Sequence, residues 1–148
     1  MADRIECSAA VAATPDEVYA LIADIARRPE WLTELRRVDP PAGPVEVGTR
    51  FTAEPEVMWH HLAGASEVVR AEPGQALAEE IHVGARFLSE WELVPSADGT
   101  VVRHCMTIEF PGGPLSRLER WVLRRRVASL QKKSLEALAS FWSADHAT

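Results

Sequence analysis

A chain of 148 residues is long enough to bury one substantial core and too short for two, so a single domain spanning 1–148 is expected. Hydrophobic residues at 47% and charged residues at 26% fit a soluble globular protein rather than a disordered one, and the longest uncharged run, Cys7 to Pro15, is far below the roughly 18 residues of a membrane span. A formal charge of -6 repels nucleic-acid phosphates, and with no apolar leader after the opening MADRIE the expected location is the cytoplasm.

In chain order, Ile5, Cys7, Ala9 and Val11 alternate with Glu6, Ser8 and Ala10, the period of two of a strand with one buried face. Thr14-Pro15-Asp16-Glu17 then carries a capping threonine, proline at the first helical position and glutamate at the third. The helix it opens should run to about Asp24 and bury Val18, Leu21, Ile22 and Ile25. A second short helix is expected over Arg27 to Leu32, restarting at Pro29, and the proline-rich stretch from Pro40 to Pro44 reads as a loop. Val47 to Ala53 reads as a strand, whereas Pro55 to His61 shows no decisive period and fits a strand or a flap. Four further strands are predicted at Ala65–Ala71, Ala76–Val83, Phe87–Val94 and Val101–Phe110, joined by Glu72-Pro73-Gly74, by Gly84 and by Ser96 to Gly99, links short enough for antiparallel hairpins.

After the break at Gly112-Gly113-Pro114 comes one long helical pattern. Leu123, Val127, Leu130, Ser134, Ala137, Leu138 and Phe141 recur at steps of three and four and form its inner face, while Arg117, Arg120, Arg124, Gln131, Lys132, Lys133 and Glu136 fall on the solvent side. Leu115, Leu118 and Val122 rotate off that line, which places the first turns at a cavity entrance near Trp31, with Trp121 and Trp142 as packing residues. Strands and helices that do not alternate argue for an α+β fold, and a long helix with one apolar face needs a strongly twisted antiparallel sheet to lie in, a helix-grip arrangement.

Thr14-Pro15-Asp16-Glu17-Val18-Tyr19 followed by Asp24 to Leu32 resembles the start of the polyketide cyclase/dehydrase and lipid-transport family of the START-like (SRPBCC) superfamily. Val47-Gly48-Thr49-Arg50-Phe51, the Glu72-Pro73-Gly74 turn, and Trp91-Glu92-Leu93 leading through Asp98-Gly99-Thr100 also stand where that family has them, so the resemblance covers essentially the whole chain. It implies a curved antiparallel sheet of about seven strands around the C-terminal helix, with two short helices after the first strand and a deep apolar cavity between sheet and helix. Chemistry varies widely across this superfamily, so function has to be argued from the site.

Strand parity selects the residues that would face such a cavity. Val102, His104, Met106, Ile108 and Phe110 form the more apolar face of the last strand, and Phe87, Ser89, Trp91 and Leu93 that of its neighbour. With Phe51, with Trp31 as a gate or a staple, and with Leu118 and Val122 from the helix, these make the candidate ligand wall. His104 is the candidate acid/base, since an imidazole titrates near neutral pH, and a satisfied wall histidine is the competing reading. The apolar count turns Leu77, Glu79, Ile81 and Val83 inward and His82 outward; with the parity reversed, Glu80 and His82 would join His104 instead. Adjacent His60 and His61 make a poor metal site, Cys7 and Cys105 lack CxxC spacing, and neither metal nor cofactor is expected. Cys7 and Cys105 should also point to opposite faces and so remain thiols.

The expected function is therefore binding of a hydrophobic, polyketide-type, aromatic or lipid-like small molecule, without nucleic acid or stable membrane insertion. The alternatives are an aromatase/cyclase or dehydratase using a cavity histidine, and a sequestering resistance protein or protein-interaction module built on the basic final helix.

Overall fold

A computed structural model describes residues 2–32, 35–55, 64–83, 85–109 and 117–143. Strand β1 (Ala2–Val11) leads into helix α1 (Pro15–Ala23) and a 3-10 helix (Ile25–Glu30). Strands β2 (Leu35–Asp39), β3 (Arg50–Pro55), β4 (Gly64–Glu72), β5 (Ala76–Val83), β6 (Ala85–Ser96) and β7 (Gly99–Glu109) follow, and helix α2 (Arg117–Ser143) comes last. The sheet order is β1-β7-β6-β5-β4-β3-β2 with every pair antiparallel, so the first strand closes against the last. This is the helix-grip fold. Irregularities between Leu35 and Arg37 and between Val68 and Arg70 bend the sheet, because an extra residue on one strand raises the local twist.

The start of α1 forms as its sequence dictates. Thr14 Oγ1 accepts from the Glu17 N–H at 3.2 Å and the Glu17 carboxylate accepts from the Thr14 N–H at 3.4 Å, so the cap satisfies donors in both directions. Val18, Leu21, Ile22 and Ile25 are buried as the period required.

Strand β2 has no pattern of its own in the sequence. It has five residues, stands at the sheet edge and is broken by a bulge, which erases the alternation by which strands are read. Strand β3 starts at Arg50 rather than Val47, because Thr49 N–H closes a turn onto the Glu46 carbonyl at 3.0 Å and Gly48 sits at φ +94°. The segment with Met58, Trp59, His60 and His61 lies outside the described residues, as do Gly84, Phe110, the Gly112-Gly113-Pro114 break and Leu115.

Helix α2 joins two apolar clusters. Leu135 and Leu138 pack with Val18, Ile22, Trp31 and Trp91, while Val127 packs with Ile5, Phe87 and Ile108. Three expectations about the helix are overturned. Gln131 is buried rather than solvated, because residue 131 lies four positions from both Val127 and Leu135 and so shares their face. Trp121 is 54% exposed, with the Arg125 guanidinium 4.9 Å from its ring centroid, rather than packed in the core. Leu118 and Val122 are exposed and do not border Trp31. That end of the helix lies near β1, where Arg124 approaches Asp3 at 3.9 Å, whereas the Trp31 end faces the helix C-terminus, where Arg27 lies 5.5 Å from the Phe141 ring.

The β6–β7 turn tolerates no side chain at Gly99. Its φ is +147°, and a Cβ there would stand 2.2 Å from the Val11 carbonyl oxygen and 2.9 Å from the Ala13 nitrogen. The neighbouring Thr100 hydroxyl donates to the Ala13 carbonyl at 2.7 Å, so β1 cannot retreat without losing a buried hydrogen bond. Gly99→Ala is expected to lower unfolding free energy by about 2–4 kcal/mol in urea denaturation, from backbone strain plus the clash.

Candidate functional site

Between the two apolar clusters lies a cavity of about 110 Å³. Its walls are Phe51 and Ala53 from β3, Ile81 and Val83 from β5, Phe87, Ser89 and Trp91 from β6, His104 and Met106 from β7, and Val127, Leu130, Gln131 and Ser134 from α2. Gly64, Ser66, Leu32, Leu35 and the Arg28–Glu79 pair complete it. Of the residues selected by parity, Phe51, Phe87, Ser89, Trp91, His104 and Met106 are thus brought to one wall. Trp31 is not: it is 1% exposed and meets Trp91 edge-on, ring centroids 5.5 Å apart, which makes it the staple behind the wall. Ile108 is also absent from the wall, fully buried in the cluster with Ile5 and Phe87. Leu118 and Val122 face solvent at 68% and 42% exposure.

His104 is the centre of a buried polar network. Its Nε2 lies 2.8 Å from Ser89 Oγ and its Nδ1 lies 2.9 Å from Gln131 Nε2. The same Gln131 nitrogen donates to the backbone carbonyls of Ile5 at 3.2 Å and His104 at 3.0 Å. Turning the amide over would set its oxygen against those two carbonyl oxygens, so the nitrogen must remain where it is. A hydrogen on Nδ1 would be aimed at an amide nitrogen that cannot accept it, so the ring proton resides on Nε2, Ser89 Oγ accepts it, and the two amide hydrogens are shared among Nδ1 and the two carbonyls. The Trp91 ring covers the imidazole at 4.0 Å between centroids.

Burial lowers the His104 pKa to about 3, with the Arg28 charge adding to the shift, so the ring is neutral at physiological pH. The sign of the consequence follows from linkage. In the unfolded chain the ring takes up a proton near pH 6.5, whereas in the folded protein it does so only near pH 3, so its contribution is complete above about pH 6.5 and is lost as pH falls through that window.

The parity reading of β5 holds: Leu77 and Glu79 are buried and His82 is exposed. The reversed alternative fails, because Glu80 and His82 sit on the outer face, where Glu80 meets Arg86 at 2.5 Å and His82 at 4.0 Å. Cys105 likewise faces outward and its Sγ accepts from Arg4 Nε at 2.8 Å, while Cys7 stands opposite His104; both are free thiols. Among the described residues no set of three or more His, Cys, Asp or Glu is placed to hold a metal ion, and His60 and His61 lie outside them.

The most strongly charged feature of the wall is nearly silent in the sequence. Arg28, 4% exposed, grips both oxygens of Glu79, 2% exposed, with Nη1 to Oε2 at 2.8 Å and Nη2 to Oε1. Its Nε and Nη2 also donate to the Ile22 carbonyl at 3.1 and 3.0 Å, and its guanidinium lies 5.5 Å from the Phe51 ring. The one available signal was Glu79 itself, a carboxylate in the inward set of β5; its partner, 51 positions away, has no sequence signature.

Two stability measurements test this chemistry. Between pH 7 and pH 5 the wild type should lose about 2 kcal/mol more unfolding free energy than His104→Gln, and parallel pH profiles would show that the folded imidazole protonates freely. Glu79→Ala should cost about 3–5 kcal/mol by stranding the Arg28 charge, and the double variant Arg28→Met/Glu79→Leu should cost less than that single change.

Residues 2–140 match the family described as polyketide cyclase / dehydrase and lipid transport. No curated protein sequence matches the chain. Among solved structures, the di-domain ARO/CYC StfQ from the steffimycin biosynthetic pathway superposes with a TM-score of 0.81 at 17% identity, over 100% of this chain and 53% of that one. The Zhui aromatase/cyclase from Streptomyces sp. R1128 superposes with a TM-score of 0.71 at 14% identity, covering 95% of this chain and 93% of its own. Ara h 8.0201 gives 0.67 at 9% identity, covering 95% and 99%. At such identities the likeness is one of fold.

Proposed function

We propose that this chain, which belongs to the polyketide cyclase / dehydrase and lipid transport family, binds a hydrophobic small molecule in the cavity between its sheet and α2 and holds it without turnover. The observation that carries this reading is the state of His104. A general acid or base works best with a pKa near the operating pH and with a lone pair or proton free to meet the substrate. His104 is neutral with a pKa of about 3, and both ring nitrogens are engaged by Gln131 and Ser89. What remains for a ligand is an aromatic and aliphatic wall of Phe51, Phe87, Trp91, Ile81 and Leu130, whose driving force is burial of apolar area.

Cyclase or dehydratase activity is the second reading. It is supported by the family, by the likeness of fold to Zhui and StfQ, and by the Glu79 carboxylate on the wall. In that case the cavity would fold a reactive chain into the geometry of ring closure, with orientation supplying most of the rate. The clamp of Arg28 on both Glu79 oxygens weighs against Glu79 as a free base. A cytoplasmic location accompanies either reading. It is supported by the two free thiols, and no described helix is long and apolar enough to cross a membrane.

Native mass spectrometry of freshly purified protein should reveal a co-purified small molecule, and the neutral probe N-phenyl-1-naphthylamine should bind with enhanced fluorescence. Ala53→Phe, which fills the cavity from β3, should weaken the probe by more than about tenfold while leaving the circular dichroism spectrum intact. Probe binding unaffected by that variant would place the ligand elsewhere and defeat the proposal.

A further inference from the structure

The first turns of α2 carry apolar side chains that the core does not use. Leu118, Trp121 and Val122 are 68%, 54% and 42% exposed. Steps of three and four residues set them on one stripe, which Arg125 continues with its guanidinium over the Trp121 ring. Leu118 stands half a turn out of phase with the buried Val127, at about 100° per residue, so no rotation of the helix could bury both faces at once. The charge around the stripe is equally one-sided. Between residues 117 and 133 seven arginines and lysines stand against Glu119, a net +6, and the remainder of the chain carries -12 to give the overall -6.

We propose that this face of α2 rests reversibly on an anionic lipid surface, with Leu118, Trp121 and Val122 entering the headgroup boundary and the basic residues around them meeting the lipid phosphates. Tryptophan flanked by arginine and aliphatic side chains suits that boundary, where one side of a helix meets acyl chains and its flanks stay wet. Nucleic-acid phosphates would engage the arginines but leave the apolar side chains idle. Three side chains also offer far less than the roughly 800 Å² per partner of a stable protein interface, whereas shallow insertion only has to supplement electrostatic attraction. A second copy of this chain would bring like charges together. The separation of charge turns α2 toward an anionic surface and the acidic remainder away from it, so the overall -6 does not oppose the contact. The helix lies on the bilayer without spanning it, since no described helix is long and apolar enough to cross. Its inner side lines the cavity with Val127 and Leu130, which sets the lipid surface about one helix diameter, ~10 Å, from a ligand held there.

Sedimentation of the purified full chain with sucrose-loaded vesicles tests this face independently of the cavity. Vesicles of phosphatidylcholine containing about a third phosphatidylglycerol should bind the protein at least about tenfold more tightly than phosphatidylcholine alone, and raising salt from about 0.05 M to about 0.5 M should remove most of that binding. The double variant Leu118→Ser/Trp121→Ser should bind the anionic vesicles about tenfold more weakly, and Arg125→Glu/Arg126→Glu should bind them hardly at all. Both variants alter exposed side chains, so their circular dichroism and their affinity for N-phenyl-1-naphthylamine without vesicles should match the wild type. Equal sedimentation with neutral and anionic vesicles, or an undiminished double serine variant, would overturn the proposal. So would retention on polyglutamate or duplex DNA without vesicle binding, which would assign the basic face to a protein or a nucleic acid. Vesicle binding by a wild type that takes up no naphthylamine probe would support the lipid face while defeating the cavity reading.

Discussion

The interior of this protein depends on the amide of Gln131. One side-chain nitrogen donates to the Ile5 carbonyl on β1 and the His104 carbonyl on β7 and approaches the His104 ring, so a single group ties α2 to two paired strands. Because those carbonyls admit only a donor, the amide has one orientation, the imidazole one tautomer, and Ser89 one role. Such a network specifies a unique arrangement more strongly than apolar packing, which tolerates sliding, and in a low dielectric each misplaced member is costly. It also spans the gap between the two apolar clusters, so the cavity is bounded by polar groups where the helix crosses the sheet.

The second constraint is the Arg28–Glu79 pair. Taking both charges out of water is expensive, and the two-point contact and the Ile22 carbonyl offset that cost without making the pair a large net source of stability. Its structural effect is positional. It anchors the 3-10 helix after α1 to the middle of the sheet, holds Arg28 near the Phe51 ring, and adds the field that disfavours protonation of His104. The two polar features therefore act together: one sets where the proton of His104 sits, the other helps keep the ring neutral.

Much of the fold was legible because its elements are local. The Thr14 to Glu17 cap, the buried stripe of α1, the alternation of β5, β6 and β7 and the long period of α2 all depend on neighbours a few residues away. Strand β2 escaped notice because a short, bulged edge strand owes its existence to its partner β3 rather than to its own pattern. On the site, parity brought Phe51, Phe87, Ser89, Trp91, His104 and Met106 to one wall. The misplaced residues share a cause. Gln131 reads as solvent-facing beside its charged neighbours, and Leu118 and Val122 as bordering the cavity entrance, whereas helical position relative to Val127 and Leu135 decides exposure.

By itself the sequence determined the order and type of most elements, the inward faces of the central strands and the family, since all of these are written in spacing. Only the tertiary structure decided what the inward polar residues do. Whether His104 is an acid/base or a wall residue depends on a glutamine 27 positions away, a serine in the neighbouring strand and an arginine from the far side of the chain. A pKa and a tautomer are properties of an environment, and the environment of His104 is assembled from β1, β6, β7, α2 and the 3-10 helix only when the sheet closes around the final helix.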